Sequence, residues 1–143
     1  MATRDRAPTA LPIATAITLL AALLRFLYLG HDSLWFDEVL TRGTAVASLA
    51  SPAAALAMRD HVPLLYWLTA LVLRVLPEHE VTLRLVSALA GVLAVPLLLA
   101  LGRAARLPAA GRWAALLLAV SPFHIRYSQE ARHYALLLFF SLL

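Results

Sequence analysis

Long apolar runs alternate with short polar segments along the chain. Three runs, 11–29, 85–101 and 107–123, contain almost only apolar side chains. A helix that crosses a membrane needs about 20 predominantly apolar residues, so each of these runs is predicted to span. A fourth run, 133–143, is predicted to begin another span, of which the sequence contains about half the required length.

The first apolar run has two interpretations, a cleaved signal peptide or an uncleaved membrane helix. A cleavage site needs small residues where the run ends, whereas residues 26–29 are Phe-Leu-Tyr-Leu. The pattern therefore favours an uncleaved helix. Arg25, near its far end, is expected to extend its side chain to the membrane interface.

The segment 30–83 is predicted to contain shorter helices. Ser33 is a candidate cap for a helix that continues to about Ala50, and Ser51-Pro52 is a typical start for a short second one. A third, over 63–76, is apolar but short for a span and carries Arg74. We expect it to lie along the membrane surface.

The distribution of arginines predicts the topology. The 102–112 connection carries Arg103, Arg106 and Arg112 and no acidic residue, which is typical of a cytoplasmic loop. The N-terminus has an excess of arginine too, and the spans 11–29 and 85–101 supply the even number of crossings needed between two cytoplasmic segments. Segments 30–83 and 124–132 then face outward. The predicted fold is all-α: polytopic transmembrane helices, with an outward first loop containing juxtamembrane helices, over the whole of 1–143.

Composition supports a membrane location. Of the 143 residues, 62% are hydrophobic and 14% are charged, against about 25% charged in a soluble domain. The net charge is +4, but the arginines stand singly between apolar runs rather than in a basic stripe, so nucleic acid is not an expected partner. Cysteine is absent, which excludes disulfides, thiolate catalysis and cysteine metal sites within this sequence.

Two adjacent carboxylates in the outward loop are the first candidates for chemistry. Asp37 and Glu38 follow Trp35 and Phe36. Such a pair could hold a sugar and accept a proton from a hydroxyl, because an apolar wall raises the pKa of a base. The alternative is a pair of solvated loop acids beside an interfacial tryptophan.

Phosphate recognition has candidates as well. His61 stands at a predicted helix start, where free N–H groups favour an anion, and Arg84 opens the second span. The segment 128–134 concentrates polar groups in one outward turn, and its arginine could pair with a lipid phosphate; the candidates there are Gln129, Glu130, Arg132 and Tyr134. Each could instead be a helix-entry or interfacial residue. The histidines lack zinc-ligand spacing, so no metal site and no cofactor are predicted, although the acids could hold a divalent cation.

Four strings occur in order along the chain: 33–38 (SLWFDE), 61–68 (HVPLLYWL), 82–89 (TLRLVSAL) and 121–134 (SPFHIRYSQEARHY). Together they resemble the N-terminal part of the GT-C glycosyltransferases, the group of protein O-mannosyltransferases and aminoarabinose transferases. Each string alone is weakly specific, but four in order at fitting distances are more so. The resemblance covers about residues 20–143.

The resemblance implies an inverting sugar transfer from a polyprenyl-phosphate donor to a glycan, lipid or protein acceptor at the outer face of a multi-pass bacterial plasma-membrane protein. It implies that Asp37 is the catalytic carboxylate, Glu38 its acidic neighbour, His61 a motif histidine and Arg84 a motif arginine. Val62 departs from the family, which commonly has proline there. Family members are longer, so the chain alone is expected to be inactive.

Two further interpretations are possible. A flippase for lipid-linked sugars, or another transporter fragment, would place charges at the membrane midplane, whereas here the charges gather at the ends of the predicted spans. A small accessory membrane protein would end after a complete helix, which the last run is not. Both are less favoured than the transferase.

Overall fold

The computed structural model describes residues 10–57 and 63–143. Within these residues every regular element is an α-helix, which confirms the all-α prediction there. The eight helices are α1 (Ala10–Phe26), α2 (Phe36–Ala50), α3 (Ala53–Leu56), α4 (Leu64–Leu73), α5 (Glu80–Ala104), α6 (Pro108–Val120), α7 (Pro122–Ser128) and α8 (Tyr134–Ser141).

Helix α5 is the centre of the fold, and α1, α4, α6, α7 and α8 all pack against it. Small side chains are frequent in the two apolar clusters, and they let helices approach closely. One cluster, shared by α1, α5 and α6, contains Ile17, Ala21, Val95, Leu99, Ala115 and Ala119. The other, shared by α4, α5 and α8, contains Leu65, Ala90, Ala135 and Leu136. Helix α2 packs on α4.

Helices α5 and α6 form a tight antiparallel pair. A Cβ atom added to Gly102 would lie 2.5 Å from the Cα of Gly111, so the two backbones are in contact there. Arg106 adopts a left-handed conformation (φ 60°), and the N–H of Leu107 donates to the Gly102 carbonyl at 2.8 Å. A left-handed residue followed by an N–H that bonds a carbonyl five residues earlier is a common helix C-cap. It ends α5 and directs the chain into α6.

Pro122 separates α6 from α7. In a continuous helix the Leu118 carbonyl would accept from the N–H of residue 122, and proline has none. Ser121 instead begins α7, because its hydroxyl accepts from the His124 N–H at 3.3 Å. The run 107–123, predicted as one helix, is therefore divided between α6 and α7.

The start of α2 differs from the prediction. Ser33 does not cap this helix, which begins at Phe36 after Trp35. The Trp35 N–H donates to Glu38 Oε2 at 3.4 Å. The carboxylate three residues later thus provides an acceptor for the backbone N–H that precedes the helix. The short helix expected after Ser51 is present as α3, and the third apolar helix is present as α4.

Helix α5 is the one helix of the described residues that is long and apolar enough to cross a membrane. The shorter apolar helices are Pro12–Phe26, Leu64–Leu73 and Pro108–Val120. The other predicted spans stay predictions.

Arg25 does not extend to the surface, contrary to its predicted position at the membrane interface. Its side chain is 0% exposed and lies among α1, α6 and α7, where it donates to the carbonyls of Leu118 and Ala119 at 3.0 Å each. The expectation was wrong because the helix breaks before Pro122, where the Leu118 carbonyl keeps only a 3.4 Å bond from the Ser121 N–H, so these carbonyls offer the guanidinium acceptors inside the fold.

Candidate active site

The first turn of α2 places Asp37 and Glu38 in different surroundings. Glu38 is fully buried. Its Oε1 accepts from Arg84 Nε at 2.8 Å and from the Ala131 N–H at 2.7 Å, and its Oε2 accepts from Arg84 Nη2 at 2.7 Å. Glu38 therefore joins α2 to α5 and to the segment after α7.

Arg84 uses its remaining donors on the connection between α1 and α2. Its Nη1 donates to the carbonyls of Leu29 at 2.8 Å and Asp32 at 3.0 Å, and its Nη2 lies 3.4 Å from the Ser33 carbonyl. Arg84 is buried as well. The guanidinium is thus engaged by protein groups on both edges, which fixes the loop that leads into the carboxylate pair.

Burial alone would raise the pKa of Glu38, because it disfavours the charged form. The hydrogen bonds from Arg84 and from the Ala131 N–H favour that form and outweigh burial, so the pKa of Glu38 lies below its usual range. Glu38 is an ionised, fully bonded carboxylate.

Asp37 is accessible where Glu38 is not. Its side chain is 32% exposed, and its Oδ2 lies 3.6 Å from Nη2 of Arg132, whose own side chain is 9% exposed. The guanidinium carbon of Arg132 lies 6.0 Å from the centre of the Tyr134 ring, a distance at which a cation and a ring attract. A partly exposed carboxylate thus faces a nearly buried guanidinium.

Tyr66 of α4 belongs to the same surroundings, and the sequence did not single it out. Its side chain is buried. Burial raises the pKa of the phenol, the charge on Arg132 lowers it and the charge on Asp37 raises it again, so the phenol lies within electrostatic reach of both residues. A phenol in an otherwise apolar helix was the available signal, but only the packing of α2 on α4 shows which way it faces.

A polar cavity of about 210 Å³ is lined in part by the Glu38–Arg84 pair. Its wall includes the aromatic rings of Tyr28 and Trp35 and the carboxylate of Glu130. Burial raises the pKa of Glu130, and the charge on Arg126, whose Nε lies 3.2 Å from Glu130 Oε1, acts against this. Aromatic faces beside a carboxylate suit a sugar ring and its hydroxyl groups.

The remaining predicted residues have varied positions. Gln129 lines the cavity, and its amide donates to the carbonyls of Leu24, Arg25 and Leu27 at the end of α1. Tyr134 is partly exposed, and its ring meets that of Tyr127 edge-on at 4.6 Å.

The structure brings Asp37, Glu38, Arg84, Glu130 and Arg132 together at the N-terminal end of α5. His61 lies outside the described residues. In residues 10–57 and 63–143, no three histidine or acidic side chains are grouped so that they could hold a metal ion. The metal and cofactor predictions stay predictions.

The sequence profile of one protein family, described as dolichyl-phosphate-mannose-protein mannosyltransferase, matches residues 60–143. Three of the four strings that carry the resemblance lie in this range, and the first, with Asp37 and Glu38, lies before it. The match confirms the resemblance to GT-C glycosyltransferases. Comparison with curated proteins and with solved structures found no significant match.

Proposed function

Because the chain belongs to the dolichyl-phosphate-mannose-protein mannosyltransferase family, a family of membrane glycosyltransferases, we propose that it contains the catalytic residues of such an enzyme. The donor is a sugar linked to polyprenyl phosphate. The acceptor is a hydroxyl group of a glycan, lipid or protein at the outer face of the membrane.

One observation carries the proposal: the accessible carboxylate of Asp37 lies 3.6 Å from the guanidinium of Arg132. A sugar transfer needs a base for the acceptor hydroxyl and a cation for the leaving phosphate. Both groups are present here, and an in-line transfer requires them to separate, so that the anomeric carbon lies between the acceptor held by Asp37 and the phosphate held by Arg132. A donor phosphate that engages Arg132 bidentately draws the guanidinium away from Asp37 and leaves the carboxylate free for the acceptor.

The proposed step is an in-line displacement. The acceptor oxygen forms a bond to the anomeric carbon while the bond from that carbon to the phosphate oxygen breaks. Asp37 takes the proton of the acceptor hydroxyl, and the electron pair leaves with the polyprenyl phosphate, whose charge Arg132 stabilises.

Glu38 and Arg84 line the proposed sugar cavity, but their polar groups are bonded within the protein, so their main part in this proposal is to hold Asp37 in position. The carboxylate and the guanidinium bond each other and nearby backbone groups, and the pair sets the orientation of the helix turn that carries Asp37. Glu130 and the cavity it lines are proposed to hold the sugar. Gln129, Tyr134 and His61 are proposed substrate contacts.

Charge supports an outward orientation of the site. Arg84 and the residues around it lie at the N-terminal end of α5, whereas Arg103 lies at the other end and Arg106 and Arg112 follow. Arginine-rich connections are retained in the cytoplasm. With 25 residues, α5 is long enough to separate the two ends by about 37 Å at 1.5 Å per residue. We propose that the protein crosses a bacterial plasma membrane several times.

The test uses membranes that contain the full-length natural protein and a polyprenyl-phosphate donor with a labelled sugar. The proposal predicts that label moves to an acceptor and that polyprenyl phosphate accumulates in equal amount. A flippase would move the intact donor across the membrane without breaking its bond to the sugar. Intact donor after incubation with membranes that carry acceptor would contradict the proposal.

A further inference from the structure

Two side chains bond backbone carbonyls across the end of α1: Arg25 reaches the end of α6, and Gln129, which follows α7, reaches the end of α1. Arg25 of α1 donates through Nη2 to the Leu118 carbonyl and through Nη1 to the Ala119 carbonyl, each at 3.0 Å. In return Gln129, which ends α7, donates to the α1 carbonyls of Leu24 at 3.2 Å and Arg25 at 3.3 Å. The end of α6 thus receives a side chain from α1, and the end of α1 receives one from the residue that follows α7.

The reason lies in Pro122. Proline provides no N–H for the Leu118 carbonyl, which keeps only a 3.4 Å bond from the Ser121 N–H. Arg25 supplies a shorter bond, at 3.0 Å. His124 holds the guanidinium in this place, because its Nδ1 lies 2.6 Å from Arg25 Nη2. An arginine has no acceptor, so this nitrogen carries no proton and accepts the bond.

The cluster is packed against α5 without spare room. A Cβ atom added to Gly91 would lie 2.1 Å from Ser128 Oγ and 3.2 Å from Arg25 Nε. The Ser128 hydroxyl donates to the His124 carbonyl at 2.6 Å. Small shifts of Arg25 or His124 are therefore transmitted to α7 rather than absorbed by empty space.

The segment that leaves this cluster leads directly to the candidate site. Two residues after Gln129, the Ala131 N–H donates to Glu38, and one residue later the Arg132 carbonyl accepts from Ser87 Oγ at 2.8 Å. The side chain of Arg132 then faces Asp37. The backbone of 129–132 thus runs from the capped helix ends to the base and its cation.

We propose that Arg25 and His124 are positioning residues for the transfer, acting through segment 129–132 on Arg132 and Asp37. Neither touches the proposed substrates. They fix the angle at which α7 leaves α6, and that angle sets where Arg132 stands. A misplacement of about 1 Å at a reacting group can cost on the order of 100-fold in rate. A buried cluster that sets the position of Arg132 can therefore change the rate without contacting the substrates.

This inference rests on the proposed function, but its test also has a readout that needs no activity. In the purified full-length protein, hydrogen exchange reports the amides of 129–132, among them the Ala131 N–H, separately from those in the middle of α5. Arg25→Lys keeps the charge, but a single ammonium has three donors, whereas Arg25 serves four acceptors: the carbonyls of Ala21, Leu118 and Ala119 and the His124 ring. His124→Leu keeps approximate size and removes the acceptor, whereas His124→Asn restores an acceptor near the same place.

We expect Arg25→Lys and His124→Leu to speed exchange in 129–132 at least tenfold, while exchange in the middle of α5 stays within twofold of wild type. Sugar transfer, measured as kcat/KM, falls at least tenfold in both. His124→Asn, and Arg112→Lys as the control at an exposed arginine of α6, stay within twofold of wild type in both measurements.

Unchanged exchange in 129–132 in either Arg25→Lys or His124→Leu would overturn the inference. So would faster exchange spread equally over α5, since it would show a role in overall stability alone, or a kcat/KM within twofold of wild type in both variants. Failure of the wild-type protein to transfer sugar would instead contradict the proposed function, and the exchange measurement would still decide whether Arg25 positions the segment.

Discussion

The carboxylate of Glu38 and the guanidinium of Arg84 meet through two parallel hydrogen bonds, from Nε to Oε1 at 2.8 Å and from Nη2 to Oε2 at 2.7 Å. The two residues are 46 positions apart, and both side chains are almost completely buried. This bidentate pair joins the first turn of α2 to the first turns of α5. It fixes the neighbouring Asp37 without blocking it.

The pair predicts a large effect on stability. Glu38→Gln leaves the buried Arg84 without its counter-charge, and loss of one partner of a buried ion pair costs roughly 3–5 kcal/mol. The partly exposed Asp37 is the matched control: its contact with Arg132 is longer, at 3.6 Å, and open to solvent on the Asp37 side, so Asp37→Asn should lower the unfolding midpoint less than Glu38→Gln. Thermal unfolding of the purified protein in detergent compares the two. Equal midpoints for both variants would show that the buried pair does not hold the fold.

The lowered pKa of Glu38 predicts a pH dependence. A group whose folded pKa lies below its unfolded value, about 4.3 for glutamate, contributes stability that is present above that value and lost as pH falls through the folded pKa. The Tm of the wild type should therefore fall more steeply below about pH 4.3 than the Tm of Glu38→Gln. The difference between the two curves isolates Glu38 from other titrating groups. Parallel curves over this range would contradict the prediction.

The surroundings of two glycines predict that alanine has opposite effects on the free energy of unfolding at Gly102, between α5 and α6, and at Gly43 of α2. At Gly102 the new Cβ meets the backbone of Gly111 at 2.5 Å, so the helices must separate, at a cost of roughly 1–3 kcal/mol. At Gly43, inside α2, nothing lies within 4 Å of the new Cβ. Gly43→Ala should stabilise the helix by about 0.5–1 kcal/mol. Chemical unfolding distinguishes them, and a Gly102→Ala variant as stable as wild type would show that the helices separate without cost.

The arginine asymmetry predicts the orientation of the chain. The protein segment has no cysteine of its own, so single cysteines at Glu78 and Ala109 can be labelled with an impermeant thiol reagent in intact cells. We expect label at 78, in the outward loop, and none at 109, in the cytoplasmic connection. Label at 109 but not at 78 would reverse this topology and make the 63–76 region a true span.

The sequence was informative where local rules decide the outcome. Helices α4, α5 and α8 follow from apolar runs, and Asp37 stood out because of its neighbours Trp35 and Phe36. The burial of Arg25 could not be predicted, because the α6 carbonyls that it bonds lie more than 90 residues away in the sequence. Lone arginines at the ends of apolar runs look alike in sequence, whether they face lipid or cap a distant helix.

The different surroundings of Asp37 and Glu38 could not be predicted from the sequence, for a related reason. Both acids were predicted to act on substrate, and their side chains are chemically almost equivalent. Their positions on the first turn of α2 point them in different directions, so one meets Arg84 and the other meets solvent and Arg132. Only the packing of α2, α5 and the segment after α7 assigns the directions.

Asp37 is the base in the proposed mechanism. Asp37→Asn keeps the shape of the side chain and removes its charge and its capacity to accept a proton, and Glu78→Gln is a control at another acid of the same outward loop. In single-turnover sugar transfer by the full-length protein with saturating donor, we expect the rate for Asp37→Asn to fall on the order of 10²–10⁴-fold. Donor affinity should change little, because the phosphate contact belongs to Arg132. A rate for Asp37→Asn within a few-fold of wild type, and equal to that of Glu78→Gln, would contradict the claim.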